Sequence, residues 1–320
     1  MMRVAKVNIK KVRVTRGTCY VLSCFMASFI FMRVPFYTAF ADPKASQAPL
    51  TVQAEPASNP PVGGFGVSLG PSQIRFSGVP GETQQGSVRI WNKSQQPMQF
   101  IMETADVGNQ KDAAGKLNRI FSPAGAFNHS GAAWIQLDQK EVNVPAGGFK
   151  DVKILLAVPA GAAGGHAAVV FFRGVPAVEN SPAVDASKST TTVQIQPRIG
   201  VLIFHEAQGM FRRTGKLENF KAAPPADGEP LRMTYTFENS GNVDILLSGN
   251  FYLLGTNNAL AAKGSINTLR TFPGDRGESE TVWEGVLDPG HYHLVASFEL
   301  GPNSQEVIVR EADLEVPKSA

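Results

Sequence analysis

From Val67 onward the apolar residues of this chain recur at every second position, and that period constrains the fold more than any other feature. Residues 150–158 (KDVKILLAV) put Val152, Ile154, Leu156 and Val158 on one face, and residues 231–237 (LRMTYTF) alternate in the same way. The apolar segments 86–91 (GSVRIW) and 98–102 (MQFIM) flank a polar, hairpin-like break at 92–97 (NKSQQP). Turns at Val79-Pro80-Gly81, Phe272-Pro273-Gly274 and Asp288-Pro289-Gly290 punctuate the pattern, and no stretch of a dozen residues after Val67 carries a helical stripe. Short alternating strands between such turns predict an all-β chain of two tandem immunoglobulin-like β-sandwiches.

Two domains are expected because the halves echo each other. Each has a strand running into Asn and Ser (Asn92-Lys93-Ser94 and Asn239-Ser240), and each later has a glycine turn that feeds a strand. The second copy reads Leu287-Asp288-Pro289-Gly290-His291-Tyr292, a spacing that suits a tyrosine corner, in which the hydroxyl bonds back to the corner just passed. The first copy, residues 158–172 (VPAGAAGGHAAVVFF), is expected to be a corner too, built on Gly165 and His166, with Ala167 opposite Tyr292. Domain 1 is assigned to residues 67–207 and domain 2 to residues 208–317.

The ends of the chain are of a different kind. Arg3, Lys6, Lys10, Lys11, Arg13 and Arg16 precede an apolar stretch and then the small-residue site Ala39-Phe40-Ala41. This is the layout of a secretory signal peptide, residues 1–41, with an apolar core too short to span a bilayer. Residues 42–66, rich in Pro, Ala, Ser and Gln, are expected to be a disordered linker. The chain is thus expected to be exported, to the periplasm or the cell surface, with no membrane span in the mature part.

Removing the signal segment alters the electrostatics. It holds seven of the 30 basic residues and none of the 27 acidic ones, so the mature part carries a formal charge of −4. No basic surface is left to argue for nucleic acid. Both cysteines, Cys19 and Cys24, fall in the signal segment, which leaves no disulfide, thiol nucleophile or cysteine metal site.

Catalytic motifs are missing as well. The glycines before His166 are followed by neither the Lys-Ser/Thr pair nor the helix that a phosphate loop requires, and no Gly-x-Ser-x-Gly elbow occurs. His291 and His293 share a strand face but have no third ligand nearby. The expectation is a non-enzyme with no cofactor, whose partners are bound through sheet edges. Residues Gly200, Val201, Leu202, Ile203 and Phe204 form the apolar strand nominated to accept a partner strand, and Trp134 is a candidate contact beside a loop.

Several segments resemble a known family. Ala133-Trp134-Ile135-Gln136-Leu137, Val144-Pro145-Ala146-Gly147, Gly164-Gly165-His166 and Arg198-Ile199-Gly200-Val201, with Trp283-Glu284-Gly285 and Pro289-Gly290-His291-Tyr292 in the second half, resemble the WxL-interacting cell-surface proteins of bacteria. That resemblance implies a non-catalytic envelope protein that binds surface proteins or peptidoglycan. The opening strands, Gly66-Val67-Ser68-Leu69, Ile74-Arg75-Phe76 and Ser87-Val88-Arg89-Ile90-Trp91-Asn92, are also similar to those of periplasmic pilus-assembly chaperones. This second resemblance implies donor-strand complementation of a pilin-like subunit. Gln73 stands where those chaperones carry an arginine, and no lysine occurs between Thr191 and Phe204.

Overall fold

The computed structural model describes residues 66–176, 196–225, 229–302, 304 and 306–318. The expected signal peptide and all of the linker except Gly66 lie outside the described residues. Ten strands build the first sandwich: β1 (Val67–Gly70), β2 (Gln73–Gly78), β3 (Thr83–Asn92), β4 (Met98–Lys111), β5 (Leu117–Ser122), β6 (Ile135–Leu137), β7 (Glu141–Val144), β8 (Phe149–Ala157), β9 (Gly165–Pro176) and β10 (Arg198–Ala207). One sheet runs β1-β3-β8-β6, and the facing sheet runs β2-β10-β9-β4-β5, with β7 also paired to β4. The second sandwich comprises β11 (Gly215–Ala223), β12 (Leu231–Asn239), β13 (Ile245–Leu254), β14 (Leu260–Thr271), β15 (Arg276–Trp283), β16 (Gly290–Leu300) and β17 (Val307–Val316). Its sheets are β11-β12-β15 and β14-β13-β16-β17. The chain is all-β, two immunoglobulin-like sandwiches in tandem.

The period-two positions become the cores. Val152, Ile154, Leu156 and Val158 are buried in the first sandwich, and Leu231, Met233, Tyr235 and Phe237 in the second. Phe76, Phe100, Phe172 and Phe204, with Phe237, Phe251, Phe272 and Phe298, are all fully buried. Each contributes roughly 1.5–3 kcal/mol by removal from water, so the sandwiches have burial to rest on without a disulfide.

The segment 92–97 is not a hairpin. β3 pairs with β1 and β8, whereas β4 pairs with β5, β7 and β9, so the chain crosses here from one sheet to the other. Asn92 holds the crossing. Its amide donates to the carbonyl oxygens of Gln96 at 2.7 Å and Val144 at 3.2 Å, and its side-chain oxygen accepts from the Ser94 N–H and hydroxyl. Asn239 does the same between β12 and β13, donating to Val243 at 2.9 Å and Thr271 at 3.3 Å while accepting from the Gly241 N–H. Both asparagines are fully buried, and the echo between the halves is this shared device. In domain 2 the Tyr292 hydroxyl donates to the Asp288 carbonyl at 2.8 Å, closing a corner over Gly290.

The β4–β5 hairpin and a small shared core are among the features that fasten domain 1 to domain 2. The β4–β5 hairpin reaches across to domain 2, where the Asn109 amide donates to the Arg270 carbonyl at 2.9 Å and to Asp275 at 2.7 Å. At its tip the Glu278 N–H donates to Gly115, Lys116 bridges in parallel to Glu278, and Leu117 fills the space above Gly277. The tip thus continues the β11-β12-β15 sheet past β15. Beside it, Val107, Ala167, Phe204 and Phe272 form a small apolar core shared by both domains.

Candidate functional site

Strand β10, like β3 and β8 of the facing sheet, is paired on both sides along only part of its length. The chain leaves β1 through the cis Gly70-Pro71 peptide and enters the opposite sheet as β2, which lies parallel to β10. Their register begins at Leu202 opposite Gln73, with the Leu202 N–H donating to the Ser72 carbonyl at 3.1 Å. Upstream of that point, residues 198–201 pair with β9 alone. Among the described residues no strand is paired to their other side. Strand alternation gives Gly200 the same outward N–H direction as Leu202, so its backbone groups face the open side.

The side chains along this edge sort by face. Ile199 and Val201 pack toward the domain core, with Val201 fully buried. On the other face the Arg198 guanidinium lies 3.5 Å from the centroid of the Phe171 ring, and Glu103 accepts from Arg173 and lies 3.6 Å from Arg198. A side chain at Gly200 would meet Val169 at 2.8 Å and Phe171 at 3.0 Å, so glycine is what lets these rings cover the strand. Of the residues nominated from sequence, Gly200 and Val201 therefore stand at the open edge. Leu202, Ile203 and Phe204 are enclosed between β2 and β9.

Next to the edge lies an ionic corner between the domains. Arg75, on β2, donates two hydrogen bonds of 2.8 Å to Asp244 and one of 2.5 Å to Glu206. Arg270 also binds Asp244, Arg213 binds Glu206, and the guanidiniums of Arg75 and Arg270 both lie over the Phe204 ring, at 4.7 and 4.5 Å. Burial alone would raise the Asp244 carboxyl, but the hydrogen bonds and charge of Arg75, with the charge of Arg270, hold it below the ordinary carboxylate range. The same acids keep the Arg75 guanidinium firmly charged against its burial. This corner joins β2 and β10 of domain 1 to Arg213, Asp244 and Arg270 of domain 2.

The glycine loop read as a corner in domain 1 is also an interface. Gly164 has φ +76°, and a Cβ there would lie 2.6 Å from the Asn242 carbonyl oxygen. The Gly165 N–H donates to that oxygen at 2.7 Å, and a Cβ at Gly165 would lie 2.8 Å from Val243 Cα. His166 then turns back under domain 1, its Nδ1–H donating to the Ser130 carbonyl at 2.8 Å. Its ring meets Trp134 at 4.0 Å and faces His205, its cross-strand partner, at 6.5 Å. Trp134, on a 3-10 turn over Ala132–Trp134, packs against the core and this histidine pair and not along the open edge.

His205 is 2% exposed, with neither ring nitrogen hydrogen-bonded. Burial, and then the neighbouring His166, push its pKa down from 6.5 to about 4. The unfolded chain therefore takes up a proton near pH 6.5 that the folded chain refuses until about pH 4. Stability is expected to fall as pH drops across this window, by up to about 3 kcal/mol. Denaturant unfolding at pH 7.5 and pH 5 checks this, and His205→Leu is expected to flatten the dependence. An unchanged slope in that variant would show that another group carries it.

Among the described residues no group of three or more His, Cys, Asp or Glu side chains could hold a metal ion, and no helix is long and apolar enough to cross a membrane. His293 bonds Asp313 at 2.8 Å, a cross-strand contact.

No family model matches the chain, and no curated protein matches it. Solved structures with a similar fold include bacterial chaperones and a PapD-like domain of human CEP192. The class 5 fimbriae chaperone CfaA is 13% identical, covering 77% of this chain and 98% of its own, with a TM-score of 0.40. The YadV chaperone is 11% identical, covering 78% and 100%, also at 0.40. A chain of the CsuC–CsuE pre-assembly complex from the Csu pili of Acinetobacter baumannii is 10% identical, covering 79% and 99%, at 0.38. These likenesses are of fold alone.

Proposed function

We propose that this chain is an exported, non-catalytic assembly chaperone that holds an extended segment of a pilin-like envelope subunit by strand addition beside residues 198–201. The observation that carries the reading is the half-paired strand β10. It offers an unpaired backbone next to buried Val201, and it sits beside an ionic corner that joins the second domain. Main-chain pairing supplies affinity in strand addition, and alternate side chains supply specificity. Ile199 and Val201 present that alternation here. An incoming strand would extend the domain 1 core past them and satisfy the outward groups of Gly200.

Proline at Gly200 tests this. It removes the outward N–H without removing a hydrogen bond to β9. Gly200→Ala, which brings the same Cβ against Val169 and Phe171 but keeps the N–H, is the matched control and is expected to retain the subunit better than the proline variant. The wild-type chain is expected to purify from its native envelope with one near-stoichiometric β-rich subunit, and Gly200→Pro to lose it by about tenfold or more. Thermal unfolding of the variant reports whether domain 1 is intact. Equal recovery of the subunit by an intact variant sinks the proposal. Retention on isolated peptidoglycan with no subunit bound would instead favour a surface-binding module.

A further inference from the structure

A polar cavity of about 450 Å³ opens on the outer face of the β11-β12-β15 sheet, away from the β10 edge. Its floor is Thr234 and Thr236, and the β4–β5 hairpin tip brings Lys116 in from domain 1. Lys221 reaches this face because β11 carries one extra residue. The register shifts between Glu218 and Lys221, and Asn219 takes up the left-handed region at φ +53°. Without the extra residue, Lys221 would point into the core. With it, Phe220 goes inward, 5% exposed, and Lys221 turns out beside Thr234. The Asn219 amide is held on the Thr236 hydroxyl at 3.2 Å.

The charges around the cavity are unevenly satisfied. Glu280 is paired with Arg232. Lys116, Lys221 and Glu278 form no ion pair within 4 Å among the described residues, and Lys116 acts on Asp112 only at longer range. Tyr235, the one aromatic residue in the lining, turns its ring into the core and its hydroxyl toward the Asn267 carbonyl, so the cavity offers no aromatic face. Two ammonium groups, one carboxylate and a floor of hydroxyls match a ligand that carries both charges and little apolar surface.

We infer that this cavity is a binding site for a zwitterionic ligand of amino-acid or short-peptide size, its carboxylate held by Lys116 and Lys221 and its ammonium by Glu278. The site is separate from the strand-capture edge and does not depend on it. Because Lys116 belongs to domain 1 and the remaining groups to domain 2, an occupied site ties the hairpin tip to the sheet.

Titration of the full chain with alanyl-alanine, followed by amide chemical shifts, tests the inference. Saturable shifts are expected at Thr234, Thr236 and Ser279. N-acetyl-alanyl-alanine and alanyl-alanine amide, each lacking one charge, are expected to bind at least about tenfold more weakly, and free alanine tests whether one residue is enough. Lys221→Met and Glu278→Gln are expected to weaken the dipeptide by a similar factor while thermal unfolding stays within a few degrees. No saturable shift into the millimolar range, equal binding of the blocked peptides, or full binding by both variants overturns it.

Discussion

Replacing Asp244 by alanine is expected to destabilise the protein by about 2–4 kcal/mol, because it leaves two partly buried guanidiniums without their shared acid. Arg75 would retain Glu206, which already serves Arg213, and Arg270 would keep its 3.2 Å hydrogen bond to Gln73 and its place over the Phe204 ring but no acid. Denaturant unfolding measures the loss. A double-mutant cycle with Arg75→Met separates the pair from its surroundings, and the second substitution is expected to cost less in the Asp244→Ala background than alone. A loss below about 1 kcal/mol would mean that the corner is solvated and contributes little. Acid should act on the same residue. The folded Asp244 carboxyl is held low, so its contribution is present above the ordinary carboxylate pKa and lost as pH falls through the lower, folded value. Asp244→Asn is expected to make the acid limb shallower.

Valine at Gly164 is the second large effect, expected at about 2–6 kcal/mol. Left-handed backbone at φ +76° costs a β-branched residue about 1–3 kcal/mol, and crowding against the Asn242 carbonyl oxygen at 2.6 Å adds about 1–3 kcal/mol. Gly209 supplies the control. It has φ +73° but nothing within 4 Å of where its Cβ would be, so valine there carries the backbone cost alone. Small-angle scattering is expected to show a changed domain arrangement for Gly164→Val and none for Gly209→Val. Equal stability losses and identical scattering would mean that the loop does not dock domain 2.

These interdomain contacts are the part of the molecule that the sequence does not announce. The cores were legible because period two is a local property. Val152, Ile154 and Leu156, or Leu231, Met233 and Tyr235, declare their face within six residues. Tyr292 was legible for the same reason, since its partner Asp288 lies four residues away. Arg75 and Asp244 are 169 residues apart, and nothing short-range selects one for the other. A weak signal existed. Arg75 stands between Ile74 and Phe76, and Asp244 between Val243 and Ile245, charges set among residues that all become buried. A lone charge in such a place needs a partner of opposite sign, although the pattern cannot say which.

The glycine loop was half legible. Its turn chemistry marks a corner, but that the corner's backbone lies against Asn242 and Val243 depends on domain packing. The break at 92–97 was misread because Asn, Ser and Pro serve a hairpin and a crossing between sheets equally well. Which one forms is decided by the partners of Asn92, Val144 among them, 52 residues on. The open edge could not be trimmed to its true extent from sequence either. Only the β2 register, starting at Gln73, separates Gly200 and Val201 from the enclosed residues after them.

That register also limits what the edge can do to its owner. Four residues of strand span about 13 Å and turn roughly two sets of backbone groups outward. Sheets grow into fibres when a long, flat row of donors and acceptors templates the next copy, and the β2 strand ends such a row after Val201. The proposed chaperone role requires a protein that is adhesive toward its client without adhering to itself. Under the proposed role the tolerance is set where β2 begins: the unpaired stretch of β10 seats the end of one foreign strand, and the β2 register closes it after Val201.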